Sequence, residues 1–186
     1  MYDETRGGHR RAQAAAAAVA SLVPTRGVAL DVAGGTGIVS AELAGVGFSV
    51  VVVDLSTGML ALADDRLPGR VVAGSADTLP IRSGSVDLVT TIWLLHLMPI
   101  AIADKVVAEA ARVLRPAGHF VTTVDKDLAH GRDRRTNADH SDRVSGVAGR
   151  HGLGFIGATS FAGTTRWASA GEGDSQSFAV SAFRKD

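Results

Sequence analysis

The segment 28–56, VALDVAGGTGIVSAELAGVGFSVVVVDLS, decides the fold of this chain. An apolar run is followed by a glycine-rich turn, a helical stretch, a second apolar run with four consecutive valines, and an aspartate. Short apolar runs of this kind predict strands covered on both faces, and a helix between two of them predicts a parallel pair. A glycine-rich turn between strand and helix is typical of sites that hold a nucleotide-like ligand against the backbone.

Length, charge and cysteine content restrict the function classes. The 186 residues are about the size of one domain, and nineteen basic residues balance nineteen acidic ones. This balance argues against a DNA backbone or an anionic membrane surface as the partner. The absence of cysteine excludes disulfides, thiolate zinc sites and a cysteine nucleophile. We therefore expect a cytoplasmic protein that binds no nucleic acid and no membrane.

The N-terminal stretch AQAAAAAVASLV (12–23) is apolar but too short to span a bilayer. It runs directly into Pro24 and the first strand, which leaves no sensible processing site for a signal peptide. We expect a helix packed on the surface of the fold. The chain is then predicted to be one domain, with an N-terminal helical segment, a ligand-binding core and a C-terminal part at 1–25, 28–125 and 126–186.

Strand and helix patterns alternate as far as about residue 125. The predicted strands are 28–32, 49–54, 70–73, 86–91 and 119–125. The predicted helices between them are 38–44, 57–64 and 102–114. Such alternation predicts a parallel sheet with helices on both faces.

The composition changes after Asp125. Residues 126–143 are polar and charged and are interpreted as a solvated loop or a mobile cover, with a weakly predicted helix at 139–151. Two strands, 154–161 and 175–183, close the chain without a helix between them, which indicates an antiparallel hairpin at the sheet edge. The predicted fold class is α/β, with a doubly wound, mostly parallel seven-stranded sheet.

The glycine loop distinguishes between possible ligands. A dinucleotide site needs G-x-G-x-x-G/A, and after Gly35 and Gly37 the third position is Ser40. Asp31, at the end of the first strand, would repel a pyrophosphate and favour a cationic ligand. S-adenosylmethionine carries a sulfonium and an ammonium and no phosphate, so Asp31 can serve its ammonium end, directly or through water. Asp54 is placed to accept both ribose hydroxyls, as it would also be in a nicotinamide protein.

At these residues the sequence resembles the class I S-adenosylmethionine-dependent methyltransferases, in particular the small-molecule branch with a ubiquinone-type methyltransferase domain. LDVAGGTG (30–37) is similar to the family pattern L-D-x-G-C-G-T-G, and VVVDLSTGML (51–60) is similar to V-D-x-S-x-x-M-L. Three further stretches match in place and order: AGSADTLPIRSGSVDLV (73–89), LLHLMP (94–99) and EAARVLRPAGHFV (109–121). The resemblance covers about residues 28–125 and implies S-adenosylmethionine as the cofactor, with S-adenosylhomocysteine as its product.

The resemblance also implies a role for individual residues. Gly35 and Gly37 would let the backbone pass the methionine part of the cofactor, and Asp54 would hold the ribose. Leu55 and Met59 would lie on either side of the adenine. These assignments place the cofactor across the carboxyl ends of the first two strands.

Two positions depart from the family pattern. Ala33 stands where the first glycine of the loop is usual, and Ser75 stands where an aspartate often receives the adenine amino group. A neutral hydroxyl accepts that bond more weakly. Ala76 would offer its backbone near the adenine edge, with Asp77 adjacent. The full predicted cofactor-binding set is Asp31, Ala33, Gly34, Gly35, Gly37, Asp54, Leu55, Met59, Ser75, Ala76, Asp77 and Thr91.

Methyl transfer from a sulfonium is an in-line displacement, so the enzyme must align the acceptor and, where needed, remove its proton. We expect the acceptor beyond the carboxyl ends of the fourth and fifth strands. His96 is the candidate general base because neutral imidazole titrates near physiological pH, although it could instead pack inside the fold. Trp93 is predicted as a wall of the acceptor pocket or as a core aromatic. Met98 and Asp125 complete the predicted acceptor contacts.

Three further groups of residues have weaker signals. A charged set could cover the site and bind an acidic acceptor: His130, Arg132, Arg134, Arg135 and His140. Histidines and aspartates of the same region fit no metal-ligand spacing, so no metal is predicted: His130 and His140 with Asp127, Asp133 and Asp139. By the habit of the family, N-terminal residues could fold over the cofactor: Tyr2, Arg6 and His9.

The sequence thus predicts an S-adenosylmethionine-dependent methyltransferase that acts on a small-molecule acceptor. A composition rich in alanine, glycine, valine and arginine is typical of GC-rich genomes, in which such enzymes often act in secondary metabolism. This expectation comes from an association and not from the chemistry of the residues. Two alternatives stay open. The first is a methyltransferase-like domain that binds the cofactor without methyl transfer or uses it for another reaction, which the departures at Ala33 and Ser75 allow. An NAD-dependent oxidoreductase is disfavoured by Asp31.

Overall fold

The structure is a computed structural model, and it describes residues 3–4, 7–126, 137–164 and 175–186. Several residues singled out in the sequence lie outside these ranges, namely Tyr2, Arg6, Asp127, His130, Arg132, Asp133, Arg134 and Arg135.

The elements follow the order strand, helix, strand through most of the chain. The strands are β1 (Val28–Val32), β2 (Ser49–Asp54), β3 (Val71–Ala73), β4 (Val86–Thr91), β5 (Leu114–Val124), β6 (Leu153–Thr164) and β7 (Ser175–Lys185). The helices are α1 (Gly8–Leu22), α2 (Ile38–Gly45), α3 (Thr57–Arg66), α4 (Ile100–Val113) and α5 (Ser141–Arg150). A short 3₁₀ helix at Leu95–Leu97 follows β4.

In the described part of the chain the seven strands form one sheet in the order β3-β2-β1-β4-β5-β7-β6. The pairs from β3 to β5 are all parallel, whereas β7 is antiparallel to both β5 and β6. The predicted fold class is therefore confirmed, including the antiparallel pair at the sheet edge.

Each face of the sheet packs against its own layer of helices. Leu30 and Phe120 lie in a buried layer with α4 and α5, whereas Leu43 and Leu88 lie in a second buried layer with α1, α2 and α3. The alternation of side chains along a strand sends neighbouring residues to opposite layers. Full burial of one such side chain contributes roughly 1.5–3 kcal/mol, so both layers stabilise the sheet. Among the described residues, no helix is both long and apolar enough to cross a membrane.

The fifth strand differs most from its predicted bounds. The fifth strand begins at Leu114 instead of 119, because Leu114 pairs with Val86 before a bulge shifts the register. It ends at Val124, one residue before the predicted end at Asp125, whose φ of 51° is left-handed. The weakly predicted helix at 139–151 is present as α5 despite its two glycines. Its Val144 is buried in the same apolar layer as α4. Such tertiary packing stabilises the helix although its glycines have a low helix propensity.

The topology brings the predicted site residues to one edge of the sheet. From β1 the chain moves outward through β2 to β3, and then returns to the other side of β1 with β4 and β5. The carboxyl ends of these parallel strands meet at one edge, and the reversal beside β1 opens a crevice there. Ligands of open α/β sheets bind at this point.

Candidate cofactor and acceptor site

The glycine loop between β1 and α2 depends on left-handed backbone conformations. Ala33, Gly35 and Gly37 have φ angles of 56°, 57° and 72°. Glycine adopts such angles without strain, whereas a left-handed residue with a Cβ costs roughly 1–2 kcal/mol. Ala33 therefore departs from the family pattern at a position where glycine would be less strained.

Close packing also requires glycine at Gly34 and Gly37 of the loop. A Cβ on Gly34 would lie 2.8 Å from Val52 Cγ1 and 2.9 Å from Asp31 Oδ2. A Cβ on Gly37 would lie 3.0 Å from the Cβ of Ala63 in α3. At Gly35, by contrast, an added Cβ would have no described atom within 4 Å. The loop is thus packed against the sheet below and open at Gly35, as a loop that receives a ligand must be.

Asp54 lies beside the open part of the loop. Its Oδ2 accepts a hydrogen bond from the Gly35 N–H at 2.8 Å, and its Oδ1 accepts one from the Ser56 N–H at 2.8 Å. Ser56 in turn caps α3, because its hydroxyl accepts from the Met59 N–H at 3.3 Å. Each carboxylate oxygen keeps a further lone pair, so both can still accept from ribose hydroxyls. These two acceptor oxygens fit the ribose hydroxyls of S-adenosylmethionine.

Asp31 is enclosed, with only 2% of its surface exposed. Its carboxylate accepts hydrogen bonds from the hydroxyls of Ser40 at 2.5 Å and Thr90 at 2.7 Å. Burial raises the pKa of Asp31 above its ordinary value, the two hydroxyls lower it in part, and the charge of Asp54 raises it further. A direct bond from Asp31 to the ammonium of the cofactor would need these neighbours to move.

The structure joins the N-terminal segment to the loop through Asp3, a residue that the sequence analysis did not single out. The Thr36 hydroxyl donates to Asp3 Oδ1 at 2.7 Å, and Arg66 Nη2 donates to Asp3 Oδ2 at 2.7 Å. Arg66 Nη1 also donates to the Thr36 carbonyl at 2.5 Å. His9, which was expected near the cofactor, has its Nδ1 3.2 Å from Glu42 Oε1 of α2.

The predicted adenine side lies beyond β2 and β3. Leu55 is 76% exposed and Met59 is half-buried, so both side chains have surface to offer a ring. Ala76 is buried. The Ser75 hydroxyl donates to Asp77 Oδ1 at 2.5 Å, so Asp77 supplies a carboxylate next to the position where the family has its aspartate.

The acceptor side contains a contact that the sequence did not predict. Lys126 Nζ lies 2.6 Å from His96 Nε2, and both side chains are half-buried. His96 belongs to the 3₁₀ helix after β4, and Lys126 follows the end of β5. The only sequence signal for Lys126 was its position next to Asp125, just after a strand.

Trp93 belongs to an aromatic cluster. Its ring makes edge contacts with Phe161 and Phe178, at centroid distances of 5.7 and 6.1 Å, and the guanidinium of Arg11 lies 3.8 Å from its centroid. One face of the ring is thus covered by a cation. This packing agrees with the interpretation of Trp93 as a core aromatic, and its role as a pocket wall stays a prediction.

The other predicted acceptor residues have contacts within the fold. Asp125 Oδ1 accepts from the Ser141 N–H at 3.0 Å, at the start of α5, so this carboxylate stabilises a helix end. Met98 packs against the α4 layer. Thr91 has no exposed surface, and its Oγ1 has no hydrogen-bond partner among the described residues. A contact between Thr91 and the cofactor would therefore need its neighbours to move.

No group of three or more histidine, aspartate or glutamate side chains in the described ranges is arranged to hold a metal ion.

Known proteins are similar to this chain over the residues that form the site. The family model for a methyltransferase domain matches residues 30–122. The chain is 45% identical to a demethylmenaquinone methyltransferase of Beutenbergia cavernae, over 50% of this chain and 38% of that protein. It is 38% identical to a ubiquinone/menaquinone biosynthesis C-methyltransferase of Methylobacterium nodulans, over 65% of this chain and 52% of that protein. The chain thus spans about half the length, or less, of these relatives.

The fold is also similar to that of a solved methyltransferase structure. The crystal structure of an S-adenosylmethionine-dependent methyltransferase from Methanosarcina mazei superposes with a TM-score of 0.69 at 18% identity, covering 90% of this chain and 96% of that one. The matches leave the oxidoreductase alternative without support. This chain belongs to the methyltransferase-domain family, and it has the fold of the S-adenosylmethionine-dependent methyltransferases.

Proposed function

We propose that this chain transfers the methyl group of S-adenosylmethionine to a small-molecule acceptor. The observation that carries the proposal is the Asp54 carboxylate, which the Gly35 and Ser56 N–H groups hold at the open part of the glycine loop. When bound, the cofactor supplies an electrophilic methyl group on a sulfonium. Asp54 would hold its ribose, Leu55 and Met59 would flank its adenine, and the buried Asp31 would favour its cationic end.

The acceptor would lie beyond the carboxyl ends of β4 and β5. His96 and Lys126 supply polar groups there, and Leu97, which is 70% exposed, supplies apolar surface. The named relatives act in quinone biosynthesis, which supports an acceptor of small-molecule size. The proposed role in secondary metabolism stays an inference from composition.

His96 remains the candidate general base, with one condition that the structure adds. Its Nε2 lies within hydrogen-bond distance of the Lys126 ammonium, so this nitrogen accepts a proton from an acceptor only after Lys126 moves away. The same observation favours a second candidate function, in which the domain binds the cofactor without methyl transfer. The departures at Ala33 and Ser75 point in the same direction.

Two measurements on the purified chain test these functions. The first is a calorimetric titration with S-adenosylmethionine, S-adenosylhomocysteine and NAD, side by side. We expect micromolar binding of the first two and no binding of NAD, whereas binding of NAD alone would refute the cofactor assignment.

The second measurement follows transfer of a radiolabelled methyl group to a panel of phenols, carboxylic acids and amines. A labelled product supports the proposed transferase. Cofactor binding without any labelled product, across the whole panel, would favour the domain that binds without transfer.

A further inference from the structure

The segment 74–81 leads from β3 towards β4 and contains the predicted adenine-side residues at 75–77. It starts beside Asp54, the predicted ribose residue, because the Gly74 N–H donates to the Asp54 carbonyl at 3.1 Å. The Thr78 N–H then donates to the Ser75 carbonyl at 3.2 Å, so residues 75–78 form a turn. All residues of the segment are described, and they lie outside the helices and the seven strands. Contacts with neighbouring elements must therefore hold the segment in place.

Helix α4 supplies such contacts through Glu109 and Arg112. Glu109 Oε2 accepts a hydrogen bond from the Leu79 N–H at 2.7 Å. The Arg112 guanidinium donates to the Leu79 carbonyl at 3.0 Å and to the Ile81 carbonyl at 2.9 Å. Both backbone polar groups of Leu79 are thus bound by α4. Hydrogen bonds to charged groups are stronger than those between neutral groups, so this attachment is firm.

Glu109 and Arg112 also bind each other as an ion pair with two hydrogen bonds. Arg112 Nε lies 2.7 Å from Glu109 Oε1, and Arg112 Nη2 lies 2.7 Å from Glu109 Oε2. The hydrogen bonds from Arg112 hold the pKa of Glu109 below its ordinary value, although burial and the charge of Asp77 oppose this shift. Asp77 is therefore close enough to interact with the pair. A bidentate pair has a specific geometry, so it holds the backbone groups of the segment at defined positions.

Pro80 connects the supported backbone to the start of the segment. It lies between the two carbonyls that Arg112 binds, and a Cβ on Gly74 would lie 2.6 Å from Pro80 Cδ. Gly74 and Pro80 are thus in direct contact, one before and one after the turn. A shift of the backbone at 79–81 would therefore displace the turn at 75–78.

We infer that Glu109 and Arg112 are positioning residues that hold the turn at 75–78 where it selects adenine over other bases. This inference rests on the proposed function, since it concerns the cofactor site. Adenine offers an amino group at C6 as a donor and N1 as an acceptor, whereas hypoxanthine offers a carbonyl at C6 and an N–H at N1.

The turn carries the groups that match adenine. The Ser75 hydroxyl donates to Asp77 Oδ1 at 2.5 Å, which leaves the Ser75 oxygen as an acceptor for the amino group. The Ala76 N–H is the donor for N1. Because hydrogen bonds weaken steeply outside a narrow range of distance and angle, the selection depends on where the turn is held.

The test compares two ligands that differ only in the base. S-adenosylhomocysteine and S-inosylhomocysteine are each titrated calorimetrically into the full chain. We expect the wild type to bind the adenine compound at least about tenfold more tightly, because hypoxanthine would leave polar groups of the turn without partners. Glu109→Ala and Arg112→Ala should each lower this ratio to about threefold or less. The double variant should lower it no further, because the two side chains act as one unit.

Two further variants separate positioning from stability. Asp104→Ala removes another carboxylate of α4, which accepts a hydrogen bond from Arg143 of α5. It should lower the free energy of unfolding in urea and keep the wild-type ratio. Glu109→Gln keeps the size of the side chain and replaces Glu109→Ala if that variant does not fold. Its amide N–H₂ would face the Arg112 donors, so the ratio should fall in this variant as well.

The outcomes separate this inference from the proposed function. A merely structural role of Glu109 and Arg112 would weaken the binding of both compounds by the same factor. An unchanged ratio in the Glu109 and Arg112 variants, or an equal fall in Asp104→Ala, overturns the inference while the wild type still binds S-adenosylhomocysteine. Equal binding of the two compounds by the wild type overturns it too. If the wild type binds neither compound, the proposed function fails and the inference fails with it.

Discussion

Replacing Asp54 by alanine should weaken both the fold and cofactor binding, by amounts that the structure allows us to estimate. The side chain accepts two backbone N–H groups at 2.8 Å each, from Gly35 and Ser56. A hydrogen bond to a charged group contributes about 1.5–3 kcal/mol, and partial exposure favours the low end. We therefore expect Asp54→Ala to lower the free energy of unfolding by about 2 kcal/mol. Loss of two ribose bonds should cost about 3 kcal/mol more in binding, a weakening of more than about a hundredfold.

Asp87 offers a matched control at the opposite edge of the sheet. Its carboxylate also accepts a backbone N–H, from Val28 at 2.8 Å, and it pairs with Arg115 at 2.8 Å. Urea unfolding and calorimetry with S-adenosylhomocysteine should be run on Asp54→Ala and Asp87→Ala together. Both variants should lose stability, but only Asp54→Ala should lose affinity. Wild-type affinity in Asp54→Ala, or an equal loss in Asp87→Ala, would refute the assignment of Asp54 to the ribose.

Three further predictions concern the loop and its supports. Burial raises the pKa of Asp31, so the unfolded chain releases this proton first and stability falls as pH rises from the ordinary aspartate value towards the raised one. Asp31→Asn should remove that fall, so that urea unfolding across a pH series shows a flatter dependence of stability on pH than in the wild type. Gly34→Ala should lower the stability by about 1–3 kcal/mol, because the new Cβ would lie 2.8 and 2.9 Å from its neighbours. Gly146→Ala is the control: it adds a Cβ in open space on a helix and should raise the stability by about 0.5–1 kcal/mol. Equal effects of the two substitutions in thermal melts would contradict this steric argument. Asp3→Ala removes the carboxylate that Thr36 binds, so S-adenosylhomocysteine should dissociate several-fold faster in stopped-flow measurements; an unchanged rate would show that this contact does not steady the loop.

The strands around the loop could be predicted from sequence because their signals are local. The runs at Val28–Val32, Ser49–Asp54 and Val86–Thr91 have the predicted bounds, since strands buried on both faces appear as uninterrupted apolar segments. In a parallel sheet the residues that end such strands meet at one edge, so the sequence alone places Asp31 and Asp54 at the same edge. The spacing of the glycines, with Ser40 at the third position, then argued against a dinucleotide as the ligand.

The details of the site were decided by contacts between distant segments. Lys126 and His96 are 30 residues apart, Thr36 and Asp3 are 33 apart, and Arg66 and Asp3 are 63 apart. No periodicity or capping rule links such positions, because each pair depends on how β4, β5, α3 and the N-terminal segment pack together. The enclosure of Asp31 by Ser40 and Thr90 has the same origin, since the parallel register sets Thr90 beside Asp31. The sequence by itself thus determined the fold class and the edge of the sheet that holds the site, because apolar patterning and strand ends are local. Only the tertiary structure decided which charges face each other there, because side-chain pairing across elements follows from their packing.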